Sequence, residues 1–123
     1  MPPSGLPLQE ADAHGSALFQ AYKARDVVAR NRVVIAPMQQ YSAVDGHATY
    51  WHVVHLGRFA LGGAGIVFVE STAVEARGRN AHGDTGLWKD SQIEPLRRVA
   101  KVLKDNGAVP AIQLGHTGRK GAL

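Results

Sequence analysis

Residues 33–43 read VVIAPMQQYSA, and this stretch decides the fold. Val33, Val34 and Ile35 are consecutive β-branched residues, the pattern typical of a parallel strand that is buried on both faces. Pro37 has no N–H to donate to a neighbouring strand, so the strand is predicted to end before it. The polar sequence Gln-Gln-Tyr-Ser follows, as at a parallel strand whose carboxyl end faces a binding site. An ordinary polar loop behind a core strand is the alternative interpretation.

The composition is that of a globular domain. The chain has 123 residues, of which 45% are hydrophobic and 20% charged, and this predicts a single domain. The absence of cysteine excludes disulfides, thiolate metal sites and thiol nucleophiles, and it fits a cytoplasmic protein. No apolar run reaches the roughly 18 residues that a bilayer requires, and the start, MPPSGLPLQE, lacks the pattern of a signal peptide. We therefore expect a cytoplasmic protein with no membrane partner.

The net charge of +4 and the pI of about 9.8 raise the question of a nucleic-acid partner. The basic residues are scattered along the chain, and no run of aromatic residues alternates with them. A nucleic-acid surface needs its positive charge concentrated on one face. The sequence therefore predicts no nucleic-acid partner.

Hydrophobic spacing predicts strands that alternate with helices. Residues 1–17 are rich in Pro, Gly and small polar residues and are predicted to be a disordered tail. Residues 18–32 form a loosely ordered lead-in that could contain a short hairpin. The predicted elements that follow are strand 32–36, helix 50–61, strand 65–70, a helix after residue 90 and strand 109–114.

Helix signals support these boundaries. Thr49 is the expected N-cap of the first helix. Ser91 and Glu94 have the spacing of a capping box at the start of the second helix. The connection at 73–90 is longer than usual for a loop within a domain, which favours a functional loop over a simple connector.

Alternating strands and helices of these lengths predict an α/β fold with a parallel sheet and right-handed crossovers. Polar residues follow each predicted strand, and in an α/β barrel such positions share the face at which ligands bind. The residues at these three strand ends are Gln39 and Tyr41, Glu70 and Ser71, and Gln113 and His116.

Several motifs, in the same order, resemble the N-terminal part of the old yellow enzyme family, the FMN-dependent NAD(P)H:flavin oxidoreductases that reduce activated alkenes. The sequence is most similar to the bacterial branch whose first motif reads Ala-Pro-Met-Cys-Gln-Tyr-Ser. The stretches that carry the resemblance are NRVVIAPMQQYSA (31–43), DGHATYWHVVHLGRFALGGAGIVFVESTAV (45–74), GRNAHGDTGLWKD (78–90) and AIQLGHTGRKGA (111–122).

The resemblance implies that residues 18–123 are the N-terminal portion of an FMN-binding (β/α)₈ TIM barrel, with about three parallel strands and two complete helices. It implies three kinds of flavin contact. Pro37, Met38 and Gln39 would lie along the isoalloxazine ring, Ser71 at its N5/O4 edge and Gln113 at its pyrimidine end. An amide suits that end because it both donates and accepts hydrogen bonds.

The resemblance also implies a catalytic role for Tyr41, above the flavin and near a small-molecule substrate, with NAD(P)H as the reductant. Hydride would pass through flavin N5 to an activated alkene or a related acceptor. Gln39 stands where this branch usually has Cys, and a neutral amide cannot become a thiolate, so the flavin potential is expected to differ. Ser71 replaces a usual Ala, and Tyr50 replaces a usual Asp.

The chain is short for such a barrel, which needs about 250 residues. The His pair that binds the substrate carbonyl, the proton-donor Tyr and the FMN phosphate loops of the family are not found in the sequence. We therefore expect a fragment of a longer protein, a subunit that another chain or copy completes, or a truncated product. The alternative function is that of a structural or interaction subunit that is not catalytic alone.

Other candidate sites are weaker. His52 and His55 have helical spacing for a metal pair, but no third ligand is evident, so no metal is expected. His116 could act as a base near a strand end. Arg119 and Lys120 could contact phosphate, but a subunit contact or a solvated loop is the favoured interpretation, since exposed basic pairs usually serve solubility.

Overall fold

The structure is a computed structural model and describes residues 16–121. Most of the predicted disordered tail lies outside these residues, and Ala17 already begins a 3₁₀ turn, Ala17–Phe19. A hairpin follows, in which β1 (Tyr22–Ala24) pairs antiparallel with β2 (Val27–Ala29). The lead-in therefore contains the short hairpin that its sequence allowed.

A parallel sheet of three strands forms the centre of the structure, in the order β3-β4-β5. The predicted α/β fold, with three parallel strands and two helices, is confirmed. The elements in chain order are β3 (Val34–Ile35), α1 (Tyr50–Leu61), β4 (Ile66–Ala73), α2 (Ile93–Asp105) and β5 (Val109–Gly115).

The strand boundaries differ from the prediction at three places. The first strand has two paired residues rather than 32–36, because the Asn31 side chain accepts the Val33 N–H at 3.1 Å and removes it from the ladder. The second strand continues to Ala73, so Ser71 lies within a strand and not behind one. The last strand likewise ends one residue later than predicted, at Gly115.

The helix starts follow the prediction in one case and depart from it in the other. Thr49 is the N-cap of α1, and its N–H donates to His52 Nδ1 at 2.9 Å. The capping box predicted at Ser91 and Glu94 is wrong, because α2 begins at Ile93 behind a 3₁₀ turn. The buried Gln92 side chain takes over there, and its Oε1 accepts the Trp88 N–H at 2.8 Å.

The hydrophobic core lies between the sheet and the two helices. The inner positions of α1, β4 and α2 supply most of it, namely Leu56, Ala60, Val67, Val69, Val99 and Leu103. Gly57 lets the helices approach closely, since a Cβ there would lie 3.2 Å from Val102 Cγ1. Within residues 16–121 no helix is long and apolar enough to cross a membrane.

Arg30 joins the carboxyl-terminal ends of both helices, a role that its place among scattered basic residues did not reveal. Its side chain is 6% exposed. Nη2 donates to Ala60 O at 2.6 Å, in the last turn of α1, and to Ala64 O at 2.9 Å, just after it, while Nη1 donates to Asn106 O at 2.8 Å, directly after α2. Burial lowers the pKa of Arg30, but the charge is favourable at the negative ends of two helix dipoles.

Replacing Arg30 by methionine is expected to lower the free energy of unfolding by about 3 kcal/mol, because several buried carbonyls lose their donors. Arg30→Lys keeps the charge but not the planar fork of donors, so it should recover only part of that loss. Arg32 is exposed, and Arg32→Met should change stability by less than about 0.5 kcal/mol. Urea unfolding of the three variants tests this, and equal stability of R30M and R32M would contradict it.

Candidate active site at the carboxyl edge of the sheet

The carboxyl ends of the three parallel strands bring the predicted site residues to one edge. Ser71 on β4 and Gln113 on β5 are direct register partners. Residues 37–42 leave β3 at the same edge, and the Gln40 N–H donates to Glu70 Oε2 at 3.2 Å. The segment predicted to follow the flavin ring therefore adjoins the strand that carries Ser71.

A β-bulge in β4 sets the direction of these side chains. The pairing with β5 slips by one residue between Val69 and Ser71, so Glu70 is the extra residue. Val69 packs in the core against the helices, and Glu70 also turns to the helix side, where Oε1 lies 2.8 Å from His52 Nε2. Consecutive side chains of a regular strand would point to opposite faces. The bulge therefore places two neighbours on the helix side and leaves Ser71 for the other face.

Two polar side chains at this edge have no internal partner. Among residues 16–121, neither the Ser71 hydroxyl nor the Gln113 amide makes a hydrogen bond, and Gln113 is exposed. Ser71 Oγ lies against Gly115, where a Cβ would be 2.9 Å away. Met38, in the segment that follows β3, is 47% exposed. This edge of the sheet thus offers donors and acceptors without partners among the described residues, and an exposed apolar side chain in the segment after β3.

Gln39 is held by the long loop between β4 and α2. Its Nε2 donates to Asp84 Oδ2 at 2.9 Å, and its Oε1 accepts from Asn80 Nδ2 at 3.2 Å. The Tyr41 hydroxyl lies 3.5 Å from the same oxygen. The amide is therefore fixed in one orientation, a constraint that comparison with the family's Cys at this position did not suggest.

Asp84 organises that loop. Its carboxylate is 2% exposed, and Oδ2 accepts three donors: the Gln39 amide, the Asn80 N–H at 2.7 Å and the Ala81 N–H at 3.0 Å. The long connection of 73–90 is therefore held by hydrogen bonds to Gln39 and within itself, and the functional role that its length predicted stays a prediction. Sequence reasoning did not single out Asp84, although an acid within a Gly-rich loop is a common anchor for backbone N–H groups.

Tyr41 has a strained backbone and an accessible side chain. Its φ is 54°, in the left-handed region that bulky residues rarely adopt. Its ring is 62% exposed. A backbone hydrogen bond two residues later, from the Ala43 N–H to Gly83 O at 2.9 Å, holds the chain after Tyr41 in place. Strain of this kind is concentrated at functional positions.

A charged group lies beyond the ends of β4 and β5. His116 Nδ1 accepts the Gly118 N–H at 2.9 Å, so the proton is on Nε2, which donates to Glu75 Oε2 at 2.9 Å. The contact with His116, followed by that with Arg77, lowers the pKa of Glu75. His116 is thus a hydrogen-bond donor to Glu75 in this structure, and its role as a base stays a prediction. A cavity of about 350 Å³ lies here, lined by Arg77, His116 and Arg119.

His52 and His55, the pair with metal-like spacing, have separate partners. His52 contacts Glu70, whereas His55 stacks on Trp51 with ring centroids 6.0 Å apart. Burial, and then the charge of Arg58, lowers the pKa of His55. In the part of the chain that the structure describes, no three potential metal ligands come together.

Comparison with known proteins gives a family match over most of the chain. A sequence model of the NADH:flavin oxidoreductase / NADH oxidase family matches residues 17–123. The fold is similar to a 2-naphthoyl-CoA reductase solved with 2-naphthoyl-CoA (26% identity, TM-score 0.83). It is also similar to morphinone reductase (26%, 0.78) and to the old yellow enzyme from Trypanosoma cruzi (28%, 0.77).

These similarities cover 86%, 85% and 85% of this chain, respectively. They cover 16%, 28% and 28% of the other chains. The chain therefore spans less than a third of the length of the solved proteins that it resembles.

Asp84→Ala is expected to release the loop at 74–89 and to lower the free energy of unfolding by about 3 kcal/mol, because three donors lose a buried charged acceptor. His82 is exposed in the same loop, so His82→Ala serves as the control and should cost less than about 0.5 kcal/mol. Hydrogen exchange of the Asn80 and Ala81 amides measures the release. Unchanged protection of both amides in D84A would refute the anchoring role.

Proposed function

The chain belongs to the NADH:flavin oxidoreductase / NADH oxidase family, and on that premise we propose that it carries the first part of the FMN site of an ene-reductase-type enzyme. The resemblance to the old yellow enzyme family is thereby confirmed, whereas the bacterial branch stays a prediction. In such an enzyme FMN accepts hydride from NAD(P)H and delivers it to an activated alkene or a related acceptor. Morphinone reductase, one of the similar proteins, has been solved with tetrahydroNAD.

One observation carries the proposal: Ser71 and Gln113 are register partners with unused polar groups at the carboxyl edge of a parallel sheet. A flavin has a polar pyrimidine edge that needs donors and acceptors, and an apolar ring that needs flat packing. We assign the pyrimidine edge to the Gln113 amide and the N5/O4 edge to Ser71. Pro37 and Met38, half-buried and exposed respectively, would pack along the ring.

Tyr41 and Gln39 are proposed to face the substrate side of the ring. Tyr41 is accessible, and Gln39 lies within reach of its hydroxyl. The hydrogen bonds from Gln39 to Asp84 and Asn80 hold a neutral amide in one orientation at the position where the related branch has Cys. We therefore propose that this residue tunes polarity and orients the phenol, and that it takes no part in thiolate chemistry.

The proposed partners are a small-molecule substrate and the strands that complete the barrel. Within the described residues, β3 and β5 each have one edge without a neighbouring strand, and parallel strands of a (β/α)₈ barrel are paired on both edges. We propose that a further segment or another chain or copy covers these edges. The alternative, a structural subunit that binds no flavin, predicts a stable assembly without flavin absorbance.

Titration of the protein with FMN, followed by flavin fluorescence and absorbance, tests the proposal. We expect saturable binding, and Gln113→Leu should weaken it by at least tenfold, which corresponds to about 1.4 kcal/mol for a lost hydrogen-bond pair. Gln20 is exposed and far along the chain from the site, so Gln20→Leu is the matched control and should bind as the wild type does. A wild-type protein that binds no FMN would refute the proposal and leave the structural alternative.

A further inference from the structure

A buried polar pair lies directly behind the proposed flavin site. His52 on α1 and Glu70 in the bulge of β4 are 1% and 2% exposed. His52 Nε2 and Glu70 Oε1 lie 2.8 Å apart, within ion-pair distance, and neither atom makes a hydrogen bond among residues 16–121. Isolated polar groups are costly to bury, so the pair is retained against a desolvation penalty.

The backbone of the N-cap determines which nitrogen of His52 carries the proton. The Thr49 N–H donates to His52 Nδ1 at 2.9 Å, and therefore Nδ1 is an unprotonated acceptor. The imidazole must then carry its proton on Nε2, which faces Glu70. His52 is thus a neutral imidazole whose protonated Nε2 lies against the carboxylate, and the pair is not formed by two full charges.

The two oxygens of Glu70 lie against different elements. Oε1 lies 2.8 Å from His52 Nε2 on α1, and Oε2 accepts the main-chain N–H of Gln40 at 3.2 Å. A carboxylate serves two donors on its two oxygens, whereas a side-chain amide presents an acceptor on one side only. Glu70 therefore connects the start of α1 to the middle of the 37–42 segment.

That segment lacks a strand ladder and depends on such contacts. The Gln40 Oε1 accepts from Trp51 Nε1 at 2.9 Å, and the Ser42 hydroxyl donates to Gln40 O at 2.8 Å. These two contacts also involve Gln40, but within residues 16–121 its main-chain N–H donates to Glu70 alone. The carboxylate thus fixes the peptide between Gln39 and Gln40, one residue before Tyr41.

We propose that Glu70 is a positioning residue: held by the Nε2–H tautomer of His52, its carboxylate fixes the backbone that presents Gln39 and Tyr41 at the flavin site. The bulge in β4 is the device that makes this possible, because without it Glu70 would point away from α1. The consequence at the flavin rests on the proposed function, whereas the positioning itself concerns only this chain.

The tautomer can be measured without a variant. The ¹⁵N chemical shifts of the His52 ring nitrogens, in the wild-type protein, should identify Nδ1 as unprotonated and Nε2 as protonated. His55, whose Nδ1 lies 3.2 Å from Arg58 Nη2, provides an internal reference on the same helix. A His52 ring protonated on Nδ1 would overturn the inference.

Glu70→Gln tests the connection to Gln40. Its amide cannot accept from both donors, so the Gln40 amide proton should move upfield and exchange faster with solvent. His52→Gln should change the same resonance, whereas His55→Gln, at a position that is also buried on α1 but makes no hydrogen bond or ion pair with the carboxylate, should leave it in place. An unchanged Gln40 resonance in folded E70Q protein would overturn the inference.

Flavin binding separates this inference from the proposed function. With wild-type protein that binds FMN, E70Q should bind it about tenfold more weakly, and H55Q should bind it normally. Equal FMN affinity in E70Q and wild type would remove the positioning role while the proposed function stood. Absence of FMN binding by the wild type would remove the proposed function, and the tautomer and the Gln40 resonance would still decide whether Glu70 fixes the turn.

Discussion

The pairing of β4 with β5 is the constraint on which the rest of the structure depends. Its parallel register brings Ser71 opposite Gln113, and its one-residue slip turns Glu70 toward the helices. A regular strand would have exchanged these directions, placing a carboxylate at the ligand edge and Ser71 against the helix side. The one extra residue in β4 thus places the Glu70 carboxylate on the helix side and leaves Ser71 and Gln113 accessible to a ligand.

Buried polar side chains hold in place the segments that make no strand-to-strand hydrogen bonds. At the amino ends of the strands, Arg30 binds carbonyls at the carboxyl-terminal ends of both helices and fixes their spacing. At the opposite edge, Glu70 and Asp84 bind backbone N–H groups of the segment after β3 and of the long loop. Each of these three residues is nearly inaccessible to solvent. Hydrogen bonds to charged groups in such places are among the stronger ones, and these contacts fix the loops of the site to the sheet.

The sequence predicted the alternating elements because their signals are local: β-branched runs, helical spacing, and a threonine before α1. It failed where a distant side chain decides the outcome. Asn31 takes the Val33 N–H and shortens the first strand, and buried Gln92 displaces the expected cap at Ser91. The site residues were predicted from the family resemblance, which indicates which residues belong to the site but not which residues they contact. The contacts that hold Gln39 and the bulged residue Glu70 join residues 30 or more positions apart. Hydrophobic periodicity along the sequence does not predict such contacts.

From the fold, the family match and the polar groups at one edge, we propose that a planar, partly polar aromatic ligand lies across the ends of the three strands. The most direct test is a crystal structure of the protein with FMN. The account predicts the pyrimidine edge within hydrogen-bond distance of the Gln113 amide, with Ser71 at the N5/O4 edge and Met38 against the ring. A flavin bound elsewhere, or one whose pyrimidine edge meets neither Ser71 nor Gln113, would contradict it.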